Sequence, residues 1–121
     1  MDVLELLLAT GPRPLPEKDF KIKSLSKEAG ADVVFRLRAL EYSRIADIRR
    51  FKEEDQSIHI VLLGTVSPDL KNSDLMARYD AVTPAELIKK MLLPGEIDDL
   101  AIRIEKLSGY RSAVTEEVKK K

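Results

Sequence analysis

The chain has 121 residues, which fits one domain that buries about two thirds of its unfolded surface. Its 21 basic and 21 acidic residues cancel, so no net field attracts nucleic acid or an anionic membrane, and both are disfavoured as partners. The absence of cysteine excludes disulfides and cysteine-ligated metal and agrees with a reducing compartment such as the cytoplasm. Glu5 interrupts the short N-terminal apolar run, which argues against a signal peptide, and no run approaches the ~20 apolar residues of a membrane span.

The chain is predicted to have three parts. A helix and a proline-rich connector occupy residues 1–17, a single α+β domain occupies residues 18–112, and a charged, disordered tail occupies residues 113–121. The leucines of the first helix recur at helical spacing and are Leu4, Leu7 and Leu8. The GPRPLPE that follows contains three prolines, which favour a stiff connector. The first helix is therefore expected to dock separately.

Alternation of apolar and polar residues predicts two strands. In DFKIKSL, Phe20 and Ile22 lie on one face. The second strand, DVVFRLRAL, has an apolar face formed by Val33, Phe35, Leu37 and Ala39. Between them Gly30 is the residue best able to take a positive φ in a turn. The pattern therefore predicts a β-hairpin with one solvated face.

The middle of the chain is predicted to form two helices. Ser43 is a candidate N-cap, and Ile45, Ile48 and Phe51 lie close to one face of the helix that it starts. The next apolar run, SIHIVLLGTV, is rich in β-branched residues, which allows a strand. Its length and lack of alternation favour a buried helix from about Gln56.

Three later helices are predicted to begin at a proline. Ser67–Pro68 and Thr83–Pro84 each offer an N-cap hydroxyl followed by proline at the first helical position. Glu86 has the spacing of a capping box with the threonine, and Val82 and Leu87 are placed as a hydrophobic staple. Pro94 is predicted to end one helix and start the next.

The proline and glycine of LLPGE are thus predicted to form a tight corner between two helices. The apolar stripe of the first helix is Leu87, Ile88, Met91 and Leu92, and that of the second is Ile97, Leu100, Ala101, Ile104 and Leu107. Gly109 is a natural end for the second helix. The fold class is therefore α+β and mostly α: a short N-terminal β-hairpin followed by a compact bundle of about four to five short helices.

Residues that commonly carry catalysis are few. His59 is the single histidine and lies in an apolar run, so a packed or partly exposed structural role is favoured. Asp98 and Asp99 are adjacent and lie on different helix faces, which argues against a carboxylate dyad. The basic residues between 49 and 52 are followed at once by acids, as on a solvated helix face. No enzyme activity, cofactor or metal is therefore expected.

Residues 65–110 carry short motifs in a fixed order: P-D-L, an acid–Leu pair, a tyrosine before a turn, LLPGE and LSGY. The residues at these positions are Pro68, Asp69, Leu70, Asp74, Leu75, Tyr79, Leu92, Leu93, Pro94, Gly95, Glu96, Leu107, Ser108, Gly109 and Tyr110. In this order and spacing the segment resembles the XkdN-like tail assembly chaperones of long-tailed phages and prophages. Asp80 departs from the glycine frequent in the family, but aspartate tolerates left-handed backbone.

The resemblance implies a non-catalytic assembly protein. Such chaperones are thought to coat the tape measure protein, keep it soluble and bring tail-tube subunits to it in the bacterial host cytoplasm, and they are absent from the mature virion. A frameshifted, longer product with a tube-binding extension is also implied, and the final lysines 119–121 suggest a slippery adenine run. Leu4, Leu7 and Leu8 are the candidate partner contacts, and self-association is retained as a further mode of binding. The motif residues serve either caps and corners or direct contacts.

Two other classes of protein remain open at this point. A small DNA-binding regulator would use the helices around residues 43–66 as a helix-turn-helix, although zero net charge argues against it. A small enzyme would need a convergent polar pocket, which the sequence does not indicate.

Overall fold

A computed structural model describes residues 2–51 and 54–119. The Phe51 side chain, Lys52 and lysines 120 and 121, on which some expectations fall, lie outside the described residues. The described elements in chain order are α1 (Val3–Thr10), β1 (Glu17–Lys21), α2 (Lys23–Ala29), β2 (Val34–Arg38), α3 (Tyr42–Phe51), α4 (Gln56–Gly64), β3 (Thr65–Ser67), α5 (Ser73–Arg78), α6 (Pro84–Met91) and α7 (Pro94–Leu107). The predicted fold class, mostly α with a hairpin-like pair of N-terminal strands followed by helices, is confirmed, and β3 adds a third strand to the sheet.

The sheet is antiparallel, with strand order β1-β2-β3. Phe20 of β1 pairs with Phe35 of β2, and a register shift interrupts the β2–β3 ladder beside Arg36. Along β2, Phe35 and Leu37 are buried and Arg36 and Arg38 are exposed, as the alternation predicts. One sheet face therefore covers the core, and the other carries charge.

β1 and β2 pair antiparallel, as the predicted hairpin requires, but the helix α2 rather than a turn at Gly30 connects them. Ser26 holds this helix against the following chain: its Oγ donates to the Ile22 carbonyl and accepts from the Val33 N–H, both at 2.8 Å. Gly30 does take a positive φ, 72°, but as the left-handed C-cap of α2. A helix of seven residues is too short for its period to be visible in the sequence.

Two predicted helix starts are also wrong. Ser67–Pro68 is a cis peptide at the end of β3, where Ser67 pairs with Arg36, so pairing across the sheet overrides the local capping signal. The next helix, α5, begins at Ser73 and is capped by Asn72, whose Oδ1 accepts from the Leu75 N–H at 2.9 Å. In α3 the helix already begins at Tyr42, so Ser43 lies inside it rather than at its cap.

The apolar run after residue 55 forms the central helix, as predicted. α4 packs against α7, α6 and α3, and its residues Ile58, Val61 and Gly64 are buried. Gly64 lies so close to α7 that a Cβ at this position would be 2.5 Å from the Ile104 side chain. The predicted corner is confirmed as well, because α6 ends at Met91 and α7 begins at Pro94.

The core is one continuous apolar cluster under the sheet and between the helices. Its members include residues from β2, α3, α4, α6 and α7, and the largest fully buried side chains are Phe35, Leu37, Val61, Leu87, Ile88 and Ile104. Both stripes that were predicted to flank the corner contribute to it. No side chain of α1 is buried.

Candidate functional site

The PGE motif builds the corner between α6 and α7. Pro94 is the first residue of α7, and the Glu96 Oε1 accepts from the Leu93 N–H at 2.8 Å. The other carboxylate oxygen of Glu96 accepts from the Ser24 hydroxyl, which ties α2 to the corner. Gly95 is different: its φ is not positive, and a Cβ there would meet nothing within 4 Å. Local structure therefore gives no reason for glycine at position 95.

The LSGY motif closes α7. The Ser108 Oγ donates to the Ile104 carbonyl at 2.8 Å and accepts from the Leu40 N–H at 2.9 Å, so it joins this helix end to the segment after β2. Gly109 has a φ of 92°, and its N–H donates to Lys106 at 3.0 Å. The Tyr110 N–H donates to Glu105 at 2.9 Å, which completes a Schellman motif.

The Tyr110 ring adds a contact beyond this helix end. The Arg49 guanidinium of α3 lies 5.0 Å from the ring centroid, within the range of a cation–π interaction. Tyr110 also packs against the apolar core while remaining partly accessible. The last motif residue therefore links α7 to α3.

The PDL motif forms the turn between β3 and α5. The Asp69 Oδ1 accepts from the Lys71 N–H at 3.0 Å, and Leu70 inserts into the core. Pro68 is half-buried. The structure thus gives the aspartate and the leucine a local role.

The remaining motif residues lie on and after α5. Leu75 and Tyr79 are partly buried against the core. Asp80 has a φ of 52°, and the Ala81 N–H donates to the Met76 carbonyl at 2.8 Å. The predicted left-handed turn at Asp80 is therefore confirmed.

Helix α1 presents the largest run of exposed apolar side chains among the described helices. Leu4, Leu7 and Leu8 are 64%, 64% and 74% exposed, and Val3 and Leu6 are exposed as well. The helix is locally well formed, since the Asp2 Oδ1 accepts from the Glu5 N–H at 2.8 Å and Gly11 ends it with a positive φ. Isolated apolar residues are common on surfaces, but a helix that is apolar on every side is normally buried. The three leucines predicted as partner contacts all lie on this helix.

A groove of about 790 Å³ opens between α3, α4, β3, the PDL turn and the start of α6. We call it the α3–α4 groove, and its main apolar lining residues are Ile48, Leu62, Leu63, Val66, Leu70 and Pro84. Four other side chains bring charge to it, and these are Arg44, Asp47, Asp69 and Lys71. His59 also lines the groove and is half-buried, which agrees with the structural role predicted for it.

A second, smaller concavity of about 520 Å³ lies where the α6–α7 corner meets the start of α4. Lys89 and Asp55 form an ion pair beside it, with 2.8 Å between Nζ and Oδ2. The hydrogen bond with Asp55 raises the pKa of Lys89. The corner thus forms a concave edge, but this edge is more polar than the α3–α4 groove.

The described residues do not support a helix-turn-helix. α4, which would be the recognition helix of that arrangement, is the central helix of the core, with three buried residues. In residues 2–51 and 54–119, no group of three or more histidine and acidic residues is arranged to hold a metal. Within the same ranges, no helix combines the length and the apolar character needed to cross a membrane.

The family model for the phage XkdN-like tail assembly chaperone matches residues 4–120. The chain belongs to this family. Its role is therefore that of a chaperone in phage tail assembly, as the resemblance of residues 65–110 indicated. The match includes most of α1, so the exposed helix is part of the family domain.

The fold of this tail assembly chaperone is also similar to a solved structure. The crystal structure of the protein YqbN superposes with a TM-score of 0.63 at 20% sequence identity, covering 91% of this chain and 98% of that chain. At this identity the comparison shows a shared fold. None of the curated proteins compared with the chain matches it.

The α3–α4 groove could not be predicted from the sequence. Its lining comes from α3, α4, β3, the PDL turn and α6, and the way these elements pack, rather than the sequence of any one of them, creates the concavity. No local pattern indicates it, because the residue types at Ser67–Pro68 predict a helix start where the structure has an edge strand and a turn. The PDL motif was the one available signal, since Pro68, Asp69 and Leu70 all line the groove.

Proposed function

We propose that this chaperone binds the tape measure protein of its phage or prophage and keeps it soluble until the tail tube assembles around it. It acts in the host cytoplasm, catalyses no reaction and is absent from the mature virion. Tail-tube subunits are recruited to the coated chain. The observation that supports this proposal is α1, an apolar helix without a buried residue, in a chain of a tail assembly chaperone family.

The chemistry of such a client explains why α1 is exposed. A tape measure protein is a very long helical chain, and without its tube its apolar surface self-associates. An apolar helix packs against an apolar helical stripe through dispersion and desolvation, with no need for complementary charge. Several copies bound along one client add their effects by avidity. Leu4, Leu7 and Leu8 are the side chains that make this contact.

Co-expression with the tape measure protein encoded in the same gene cluster tests the proposal. The chaperone is expected to raise the soluble yield of that protein and to co-purify with it. The contact should persist at ~1 M salt, where the Debye length is ~3 Å, because the chain has no net charge and α1 contacts by apolar side chains.

Matched variants locate the contact. Leu4→Asp combined with Leu8→Asp should abolish co-purification, whereas Val118→Asp, which changes an even more exposed apolar residue in the C-terminal segment, should not. The client's solubility and recovery would be the same with and without the chaperone if the proposal were wrong. Equal loss with both variants would place the contact outside α1.

The tube-recruiting step requires a further product. We propose that a longer, frameshifted form of the chain carries the tube-binding extension, with slippage at the codons for lysines 119–121. Sequencing the transcript and mass spectrometry of the expressed gene test this. An interrupted adenine run with no overlapping downstream frame would contradict it.

A further inference from the structure

The molecule carries two exposed apolar surfaces, one convex and one concave. α1 is a convex helix with no buried residue, and the α3–α4 groove is an open concavity of about 790 Å³ with an apolar lining. Each copy of the chain has one of each. A single short helix in an apolar groove is a common mode of protein recognition.

We propose that in the absence of client the α1 helix of one copy docks into the α3–α4 groove of a second copy, and that the exchange is reciprocal. The resulting dimer covers both apolar surfaces. The proposal stands independently of the proposed client, because it concerns the chaperone alone.

The connector favours docking of α1 into the groove of a second copy over docking into the groove of its own chain. Pro12, Pro14 and Pro16 alternate with other residues between α1 and β1, and such segments are semi-rigid spacers that extend by about 3.1 Å per residue. The Pro16 carbonyl is fixed by the Ala39 N–H at 2.9 Å, so the connector leaves the domain in a set direction. Every side chain of α1 is exposed, so this helix lies off its own domain and is accessible to a second copy.

Charge assists this contact only slightly. α1 carries Asp2 and Glu5 and no basic side chain, while Arg44 and Lys71 at the groove form no ion pair with another described residue. Acids also lie at the groove, at Asp47 beside Arg44 and in the PDL turn. Apolar burial is therefore the main driving force, and the dimer should be nearly independent of salt concentration.

The size of the contact predicts a weak dimer. A helix of eight residues is about 12 Å long and about 10 Å wide, so two reciprocal contacts bury on the order of 1,000 Å² in total. This is the lower limit for a specific interface. Such a dimer exchanges readily, which leaves α1 available when a client with a larger apolar surface is present.

Sedimentation velocity over a range of concentrations tests the self-association. The parent chain should shift from monomer to dimer as its concentration rises. Leu4→Asp with Leu8→Asp in α1, or Leu63→Asp in the groove, should each weaken dimerisation by at least about tenfold. Val118→Asp is the control and should leave it unchanged. All the altered side chains are exposed, so each variant should fold like the parent chain. Thermal unfolding of each variant verifies this.

The absence of cysteine allows a direct test of the contact. A chain with Leu8→Cys and Leu63→Cys, mildly oxidised, should form a covalent dimer, whereas Leu8→Cys with Val118→Cys should not. A covalent monomer would show that α1 occupies the groove of its own chain and would overturn the proposal. A parent chain that remains monomeric at all concentrations, or a dimer that neither α1 nor groove variants weaken, would overturn it too.

Discussion

At the scale of single residues, the contact between Gly64 and Ile104 sets how closely α4 and α7 approach. A Cβ at position 64 would lie 2.5, 2.7 and 2.8 Å from three atoms of the Ile104 side chain, which is fully buried. Packed interiors accommodate such overlap only by moving side chains or backbone. Glycine at 64 is therefore a packing requirement rather than a backbone one.

We expect Gly64→Ala to lower the free energy of unfolding by about 1–3 kcal/mol, the usual cost of overpacking. Ile104→Ala alone should cost about 2–5 kcal/mol through the cavity that it leaves. The double variant should be less destabilised than the sum of the two, because the new methyl group occupies part of that cavity. Denaturant unfolding of the four proteins measures the coupling, and strict additivity would show that the two residues do not share this space.

Gly95 presents the opposite case. It lies near the start of α7 with open space around its Cα, and its φ does not require glycine. Gly95→Ala should raise stability by about 0.5–1 kcal/mol, because alanine restricts the unfolded chain and favours the helix. Thermal unfolding measures the gain, and a loss of stability would contradict the open environment.

The same variant separates two roles for the PGE motif. If glycine at 95 permits a partner's backbone to approach closely, Gly95→Ala should weaken client co-purification while it stabilises the domain. Pro94 and Glu96 have structural roles of their own, so their variants do not separate folding from binding in this way.

At the scale of elements, the start of α6 combines a cap with a charge network. The Thr83 Oγ1 accepts from the Glu86 N–H and the Glu86 Oε2 accepts from the Val82 N–H, both at 3.1 Å. The Lys90 Nζ lies 2.9 Å from the Glu86 Oε1. The expected hydrophobic staple contributes little, because Val82 is 83% exposed.

Thr83→Ala should cost about 1 kcal/mol, since it removes the side-chain acceptor of the cap. Glu86→Gln keeps an acceptor for the Val82 N–H but removes the charge. The hydrogen bond from Lys90, and then that from Val82, hold the pKa of Glu86 below its ordinary value of 4.5. A lowered pKa stabilises the fold above the ordinary value, and this contribution is lost as the pH falls through the lowered one.

The difference in thermal stability between parent and Glu86→Gln should therefore be present near neutral pH and disappear in acid. It should also decrease in high salt, because the pair is exposed to solvent. A difference that persists below the lowered pKa would show that the amide disturbs the cap itself.

An element could be predicted from the sequence when the residues that determine it are close together in the chain, and not when they are distant. α4 and the α6–α7 corner were predictable, because an uninterrupted apolar run and a proline between two apolar stripes are local signals. α2 was missed because seven residues span barely two helical turns. β3 was missed because its three residues are defined by pairing with β2, about thirty positions earlier in the chain.

The candidate site likewise has one part that could be predicted from the sequence and one part that could not. The exposed helix α1 was predicted, since its leucine spacing and the following prolines are local. The α3–α4 groove was not, because its walls are brought together only by the packing of α4 at the centre of the fold. The PDL, PGE and LSGY motifs were recognisable as a family pattern, but their bonding roles depend on distant partners such as Ser24 and Leu40.

At the scale of the whole molecule, the core and the exposed apolar helix α1 come from different parts of the chain. The core residues come from the segment between Ile22 and Ile104, whereas α1 contributes no buried side chain. Balanced charge keeps long-range electrostatics small. Removal of α1 should therefore affect binding without affecting the fold.

We expect deletion of residues 1–11 to leave the thermal unfolding midpoint within about 2 °C of the parent value, a shift that corresponds to roughly 0.5 kcal/mol, because α1 contributes no buried side chain to the domain. The Pro16 carbonyl remains to accept the Ala39 N–H, so β1 keeps its place beside β2. The same deletion should abolish client co-purification and concentration-dependent dimerisation. Circular dichroism, co-purification and sedimentation velocity on one preparation measure all three. A large drop in the midpoint would show that α1 packs on its own domain, and binding would then have to be assigned to another surface.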